Sequence, residues 1–163
     1  MSIARRLVPL DEEVAPFKIG VTVTSGQTFT LPIANFGALV PNFSVNWGDN
    51  SSGTITSATD ASRIHTYSTG GTYTITISGF MPGFVVNNNT SIRNLITELV
   101  QWGIVGLRTI NFYGCQNLTT IPGSDAIDEV GGYTGLSEVV SFNSLFQATR
   151  LSAIPADLSL IHI

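Results

Sequence analysis

From Phe17 onward the chain alternates between apolar and polar residues with a period of two. Phe17, Ile19, Val21 and Val23 are separated by Lys18, Gly20 and Thr22, which predicts a half-buried strand. Ser25-Gly26 reads as a turn, and Phe29, Leu31 and Ile33 predict a second strand. After a loop containing Gly37 and Pro41, the alternation resumes in Phe43-Ser44-Val45-Asn46-Trp47. Shorter strands are expected at Gly53-Thr54-Ile55-Thr56 and from Ile64 to Tyr67, and a long one from Thr72 to Ser78. In that last strand Tyr73, Ile75 and Ile77 share a face and threonines take the other. Short strands separated by turn residues predict a β-sandwich over residues 17–80.

The pattern changes after residue 80. Met81-Pro82-Gly83 and Asn87-Asn88-Asn89 predict a linker over residues 81–90. Thr90-Ser91 then looks like a helix cap. Ile92, Leu95, Ile96, Leu99 and Val100 fall at helical spacing, and Trp102-Gly103 supplies the stop. Beyond this expected helix the sequence repeats. Phe112 to Pro122 aligns position for position with Leu145 to Pro155. Each copy is preceded by a Leu-x-x-Ile/Val unit, Leu107–Ile110 and Leu136–Val139. A repeat of this length predicts stacked units that bury Leu and Ile against one another. Two units are fewer than such a stack normally needs, and the apolar end Leu158–Ile163 carries no polar cap.

Two resemblances follow from these residues. Val45-Asn46-Trp47-Gly48-Asp49-Asn50, with His65-Thr66-Tyr67 and Gly71-Thr72-Tyr73 after it, resembles the signature of the PKD domain, an immunoglobulin-like β-sandwich. The resemblance implies that Trp47, Gly48, Asp49, His65, Tyr67, Gly71 and Tyr73 are structural, with Trp47 in the core, and that the domain is a spacer or adhesion module. Residues 92–158 resemble the BspA-like leucine-rich repeats of bacterial and phage surface proteins. The expected fold class is therefore mainly β: a PKD-type sandwich over 17–80, a linker over 81–90, and a capping helix with a short α/β leucine-rich-repeat solenoid over 91–163.

Composition narrows the function. Only 11% of residues are charged, Lys18 is the single lysine, and the net charge is −4 with a pI near 4.9. A nucleic-acid partner is not expected, because clustered positive charge is missing. Cys115 is the single cysteine, so no intrachain disulfide can form and a cysteine-rich zinc site is excluded. The start, Met1 to Glu13, has two arginines but no apolar core of signal-peptide length, and no segment approaches a membrane span. The expectation is synthesis in a cytoplasm without standard export, and no membrane insertion. Residues 1–16, broken by Pro9 and Pro16, are expected to form an arm that docks on a neighbouring subunit.

Candidate chemistry is sparse. Asp49 with Asn50 and Asp60 offers oxygens for calcium, but without the spacing of a known loop. His65 has no Gly-x-Ser-x-Gly context beside it. Tyr67 and Tyr73 are weighed as sugar-stacking rings against packed core rings. Asp125, Asp128 and Glu129 read as a solvated loop. No cofactor is expected. The expected function is a non-enzymatic virion structural protein of a phage, as a head-decoration, fibre or tail-associated protein. Its partners would be capsid or tail protein and further copies of itself, and beyond them a host surface glycan or protein. The alternatives are a cellular surface adhesin and a carbohydrate-binding module, located outside the cell or on its surface.

Overall fold

The computed structural model describes residues 14–123, 136, 139–141 and 144–156. The expected tail Leu158–Ile163, the acidic group Asp125, Asp128 and Glu129, and residues 1–13 of the expected arm lie outside them. The protein is mainly β. Its principal sheet contains β1 (Phe17–Val23), β3 (Asn42–Asn46), β4 (Ser52–Ile55), β6 (Gly71–Phe80) and β8 (Ile96–Gln101), in the order β4-β3-β6-β1-β8. Every pairing in it is antiparallel.

The register shows why these sequences pair. Ile19 lies opposite Ile75, Val45 opposite Ile77, and Phe43 opposite Ile55, so the apolar halves of the alternation meet on one face. Thr22, Thr72, Thr74, Ser44 and Thr54 share the other face and are exposed. A two-stranded sheet of β2 (Thr28–Thr30) and β5 (Ile64–Thr66) packs over the apolar face. Its anchors are Phe29, Leu31 and Tyr67, all fully buried.

The segment 81–90, expected to be a linker, belongs to the body. Met81 and Phe84 are fully buried, and β7 (Gly83–Val85) pairs in parallel with β9 (Thr109–Asn111). Glycine is needed at 83 because a Cβ there would stand 2.7 Å from the Ala34 carbonyl oxygen.

The expected helix over 91–102 is also corrected. Residues 90–95 form turns, and Ile96–Gln101 is strand β8 on the edge of the principal sheet. The register of β1 on β8 slips between Lys18 and Ile19 and again between Gly20 and Val21. Ile19 thus meets Leu99 and Val21 meets Ile96: two steps on one strand match three on the other. A bulged strand therefore presents its apolar residues at a spacing that imitates a helix.

Among the described residues past 80, several segments lie parallel to one another. Ser141 bridges to Thr109, and the Phe112 and Gly114 amides donate to the carbonyls of Leu145 and Gln147. Two turn bonds recur. Asn89 N–H donates to Val86 and Ile92 N–H to Asn89, as Cys115 N–H donates to Phe112 and Leu118 N–H to Cys115. The buried series Phe84, Val86, Ile92 matches Ile110, Phe112, Leu118.

The chain before residue 80 borders this region twice. β1 covers β8. Pro32 and Ala34 bond across to Val85 and Gly83, with Ile33 bridged to Phe84. One continuous core results, running from Phe17 to Leu145. The expected arm is shorter than its sixteen residues: Ala15 accepts a bond from the Ile104 amide at 2.7 Å, and Gly103 packs on Pro16. Among the described residues no helix is long and apolar enough to cross a membrane.

Candidate functional site

The alternation of β3 carries Phe43, Val45 and then Trp47 onto the core face, where Trp47 is 3% exposed. The chain must reverse directly after it. Gly48 does so at φ +87°, its amide donating to Asn46 Oδ1 at 2.9 Å. A Cβ at Gly48 would lie 2.7 Å from the Thr74 carbonyl oxygen, so the turn needs both the angle and the space. Asn50 takes a second positive φ, and the Trp47 amide closes the turn on the Ser51 carbonyl at 3.0 Å.

Asp49 stands at the centre of this turn. Its Oδ1 accepts from the Ser51 amide at 3.0 Å and from Ser51 Oγ at 2.5 Å. Its Oδ2 lies 2.7 Å from His65 Nε2, an ion pair whenever that ring is protonated. The imidazole stacks on Trp47 with ring centres 4.8 Å apart, and Tyr67 meets it edge-on at 4.6 Å. Tyr67 in turn stacks on Tyr73 at 4.4 Å and donates its hydroxyl to the Trp47 carbonyl at 2.9 Å. Tyr73 donates to the Thr69 carbonyl, and its ring passes over Gly71 at the start of β6. All seven residues singled out from the sequence thus meet in one place. Ser51 is the member the sequence reading missed. Its signal was the Asp-x-Ser spacing, in which a carboxylate takes the amide two residues on.

Serine, histidine and aspartate together invite a hydrolase reading, and the geometry argues against it. In a nucleophilic triad the imidazole stands between the other two and takes the serine proton. Here the carboxylate stands in the middle. The Ser51 hydroxyl donates its hydrogen bond to Asp49, and the one histidine nitrogen within 3.4 Å of Ser51 Oγ is engaged by the same carboxylate. The arrangement is a polar clasp between the β3–β4 turn and β5.

The calcium set is not gathered either. Asp60 is occupied by the amides of Thr56 and Ser62, capping the short 3-10 turn Ala61–Arg63. Those backbone bonds hold its carboxyl below the usual range. Among the described residues no three His, Cys, Asp or Glu side chains cluster as a metal site. Cys115 is buried, which pushes its thiol up to about 12 against a smaller opposing effect of Arg93, far from a reactive thiolate. Burial likewise raises the Tyr67 phenol.

The clasp has a pH signature. Partial burial pulls the Asp49 carboxyl upward, but the bonds from Ser51 and His65 outweigh it and hold the group down at about 2, against an ordinary 3.8. A carboxyl depressed by folding stabilises the fold fully above its unfolded pKa. That contribution is lost as pH falls from about 4 through 2. With one fifth of the side chain exposed, solvent screening reduces the contribution to about 1–2 kcal/mol. Denaturant titrations at pH 5 and pH 2 should show the wild type losing that much more stability than Asp49→Asn; equal losses would remove the clasp from the account.

Comparison of the chain with known protein families, with curated protein sequences and with solved structures found no match.

Proposed function

We propose that this protein is a non-enzymatic structural and display component of a phage virion, joining a PKD-type immunoglobulin-like sandwich to a short leucine-rich-repeat coil. One observation carries the non-enzymatic part. Among the described residues, the candidate chemical groups Asp49, Ser51 and His65 are spent on one another in holding a turn, and Asp60 is spent on its own loop. Such groups serve rigidity, and rigidity suits a displayed module.

The repeat reading gains support from the turn bonds shared by residues 86–92 and 112–118. If 83–95 is the first pass, 109–121 the second and 141–154 the third, the stack has the three units that such architectures need, and the sandwich serves as its opening cap. The scarcity of charge supports close packing against neighbours. On this reading the partners are capsid or tail proteins and further copies of the chain, and no cofactor takes part.

Quantitative mass spectrometry of purified particles tests the assignment. The protein should be present in many copies per particle, and its absence would end the virion reading. Deleting residues 2–13 tests the docking arm. The sheet begins at Phe17, and among the described residues the tie nearest the amino terminus is Ala15, so the truncated protein should melt like the full chain and fail to enter particles. Incorporation at the full-length level would contradict docking through the arm.

A further inference from the structure

Between β2 and β3 the chain makes a second, smaller hairpin whose chemistry neither the clasp nor the repeat uses. Phe36 and Leu39 exchange both backbone hydrogen bonds, at 3.2 and 3.0 Å, and Gly37 and Ala38 form the two-residue tip with Gly37 at φ +58°. Gly37, Ala38, Leu39 and Val40 are all exposed, the last two at 37% and 48%, with Phe36 half-buried at their base. Five consecutive apolar residues on a projecting turn are unusual for a protein in water. Exposed asparagines flank them, Asn35 on one side and Asn42 on the other. From Ile19 to Gly48 no side chain is charged.

We propose that this hairpin tip is a shallow lipid-inserting element that seats Leu39 and Val40 in the interfacial region of a zwitterionic membrane. Three features select lipid over a protein pocket. The tip is exposed and closed by its own hydrogen bonds between Phe36 and Leu39, so those groups offer no free strand edge for a partner chain to extend. It lacks the Trp, Tyr and Arg anchors that dominate protein hot spots, and Leu and Val are under-represented there. Its grading from apolar tip to amide collar to hydroxyl-rich sheet follows the grading from acyl chain to head group to water. The lack of basic residues on the tip and the net charge of −4 select a zwitterionic surface rather than an anionic one. Each copy inserts only a few side chains, so binding is weak and reversible, and many copies side by side would strengthen it. The inference rests on the hairpin alone and stands or falls independently of the virion assignment.

Flotation of the full chain with pure phosphatidylcholine vesicles provides the test. The wild type should float with the lipid, equally at 50 and 500 mM salt, and no better when phosphatidylserine is added. Leu39→Asp, a change at an exposed position that should leave the melting temperature intact, should lower the bound fraction at least tenfold. Leu39→Trp should bind like the wild type and shift its added fluorescence to the blue on contact with vesicles. Failure of the wild type to float would overturn the proposal. So would binding that Leu39→Asp leaves unchanged, or binding that rises with phosphatidylserine and collapses in salt. A change in oligomeric state on Leu39→Asp, without vesicle binding by the wild type, would make the tip a protein contact instead.

Discussion

Replacing Trp47 by alanine is expected to lower the free energy of unfolding by about 3–5 kcal/mol, the largest single-residue effect anticipated for this fold. Several losses coincide. The indole is almost wholly buried, so its apolar surface leaves a cavity between the two sheets. His65 loses the ring on which it stacks, which loosens its hold on Asp49. The Trp47 carbonyl that receives the Tyr67 hydroxyl belongs to the backbone and survives, so the Tyr67–Tyr73 stack should hold better than the clasp. Urea titration followed by circular dichroism measures the change. A midpoint within error of the wild type would mean that Trp47 is not part of the core.

The second large effect is expected at Gly103. It adopts φ +64°, and a Cβ there would lie 2.3 to 2.4 Å from backbone atoms of Pro16 and Phe17. No side-chain rotation relieves a clash with main chain, so Gly103→Ala must displace either the start of β1 or the end of β8. A cost of about 3 kcal/mol or more follows from strain of this kind. The outcome also decides how the halves relate. β1 and β8 lie side by side, so melting should remain a single transition moved down as a whole. Two separated transitions, with the one belonging to residues 17–80 unmoved, would show that the halves fold independently.

Much of the principal sheet was legible from alternation alone. β1, β3 and β6 have their apolar residues where the period of two puts them, because each has one face in the core and one in water. The seven residues gathered around the Trp47 turn were legible as a group through resemblance, and Asp49 individually through turn chemistry. β8 was not legible. Its bulged pairing with β1 sets Ile96 and Leu99 three apart, and a period of three or four reads as helix when no partner strand is in view. The β-branched residues Ile96, Thr97 and Val100 were the local sign that strand was favoured. Residues 81–90 misled for another reason. Gly83 and the asparagines at 87 and 88 have linker composition, yet they are there because the backbone comes close to Ala34 at one point and takes positive φ at the others. The short apolar run between them, with Phe84 and Val86 buried, was the better guide.

The position of β1 in the principal sheet bears on how the chain is made. β1 is synthesised before every other strand, yet its two neighbours, β6 and β8, begin only at Gly71 and Ile96. A nascent chain therefore carries Phe17, Ile19, Val21 and Val23 without a strand partner until β6 is complete at Phe80, and without the second until β8 is complete at Gln101. Sheets assembled from such distant partners close late and slowly, and the waiting strand is the segment most exposed to wrong pairing. An interior strand of the finished sheet is thus the most vulnerable part of the unfinished chain, and crowded translation of many copies would put that vulnerability under the greatest pressure.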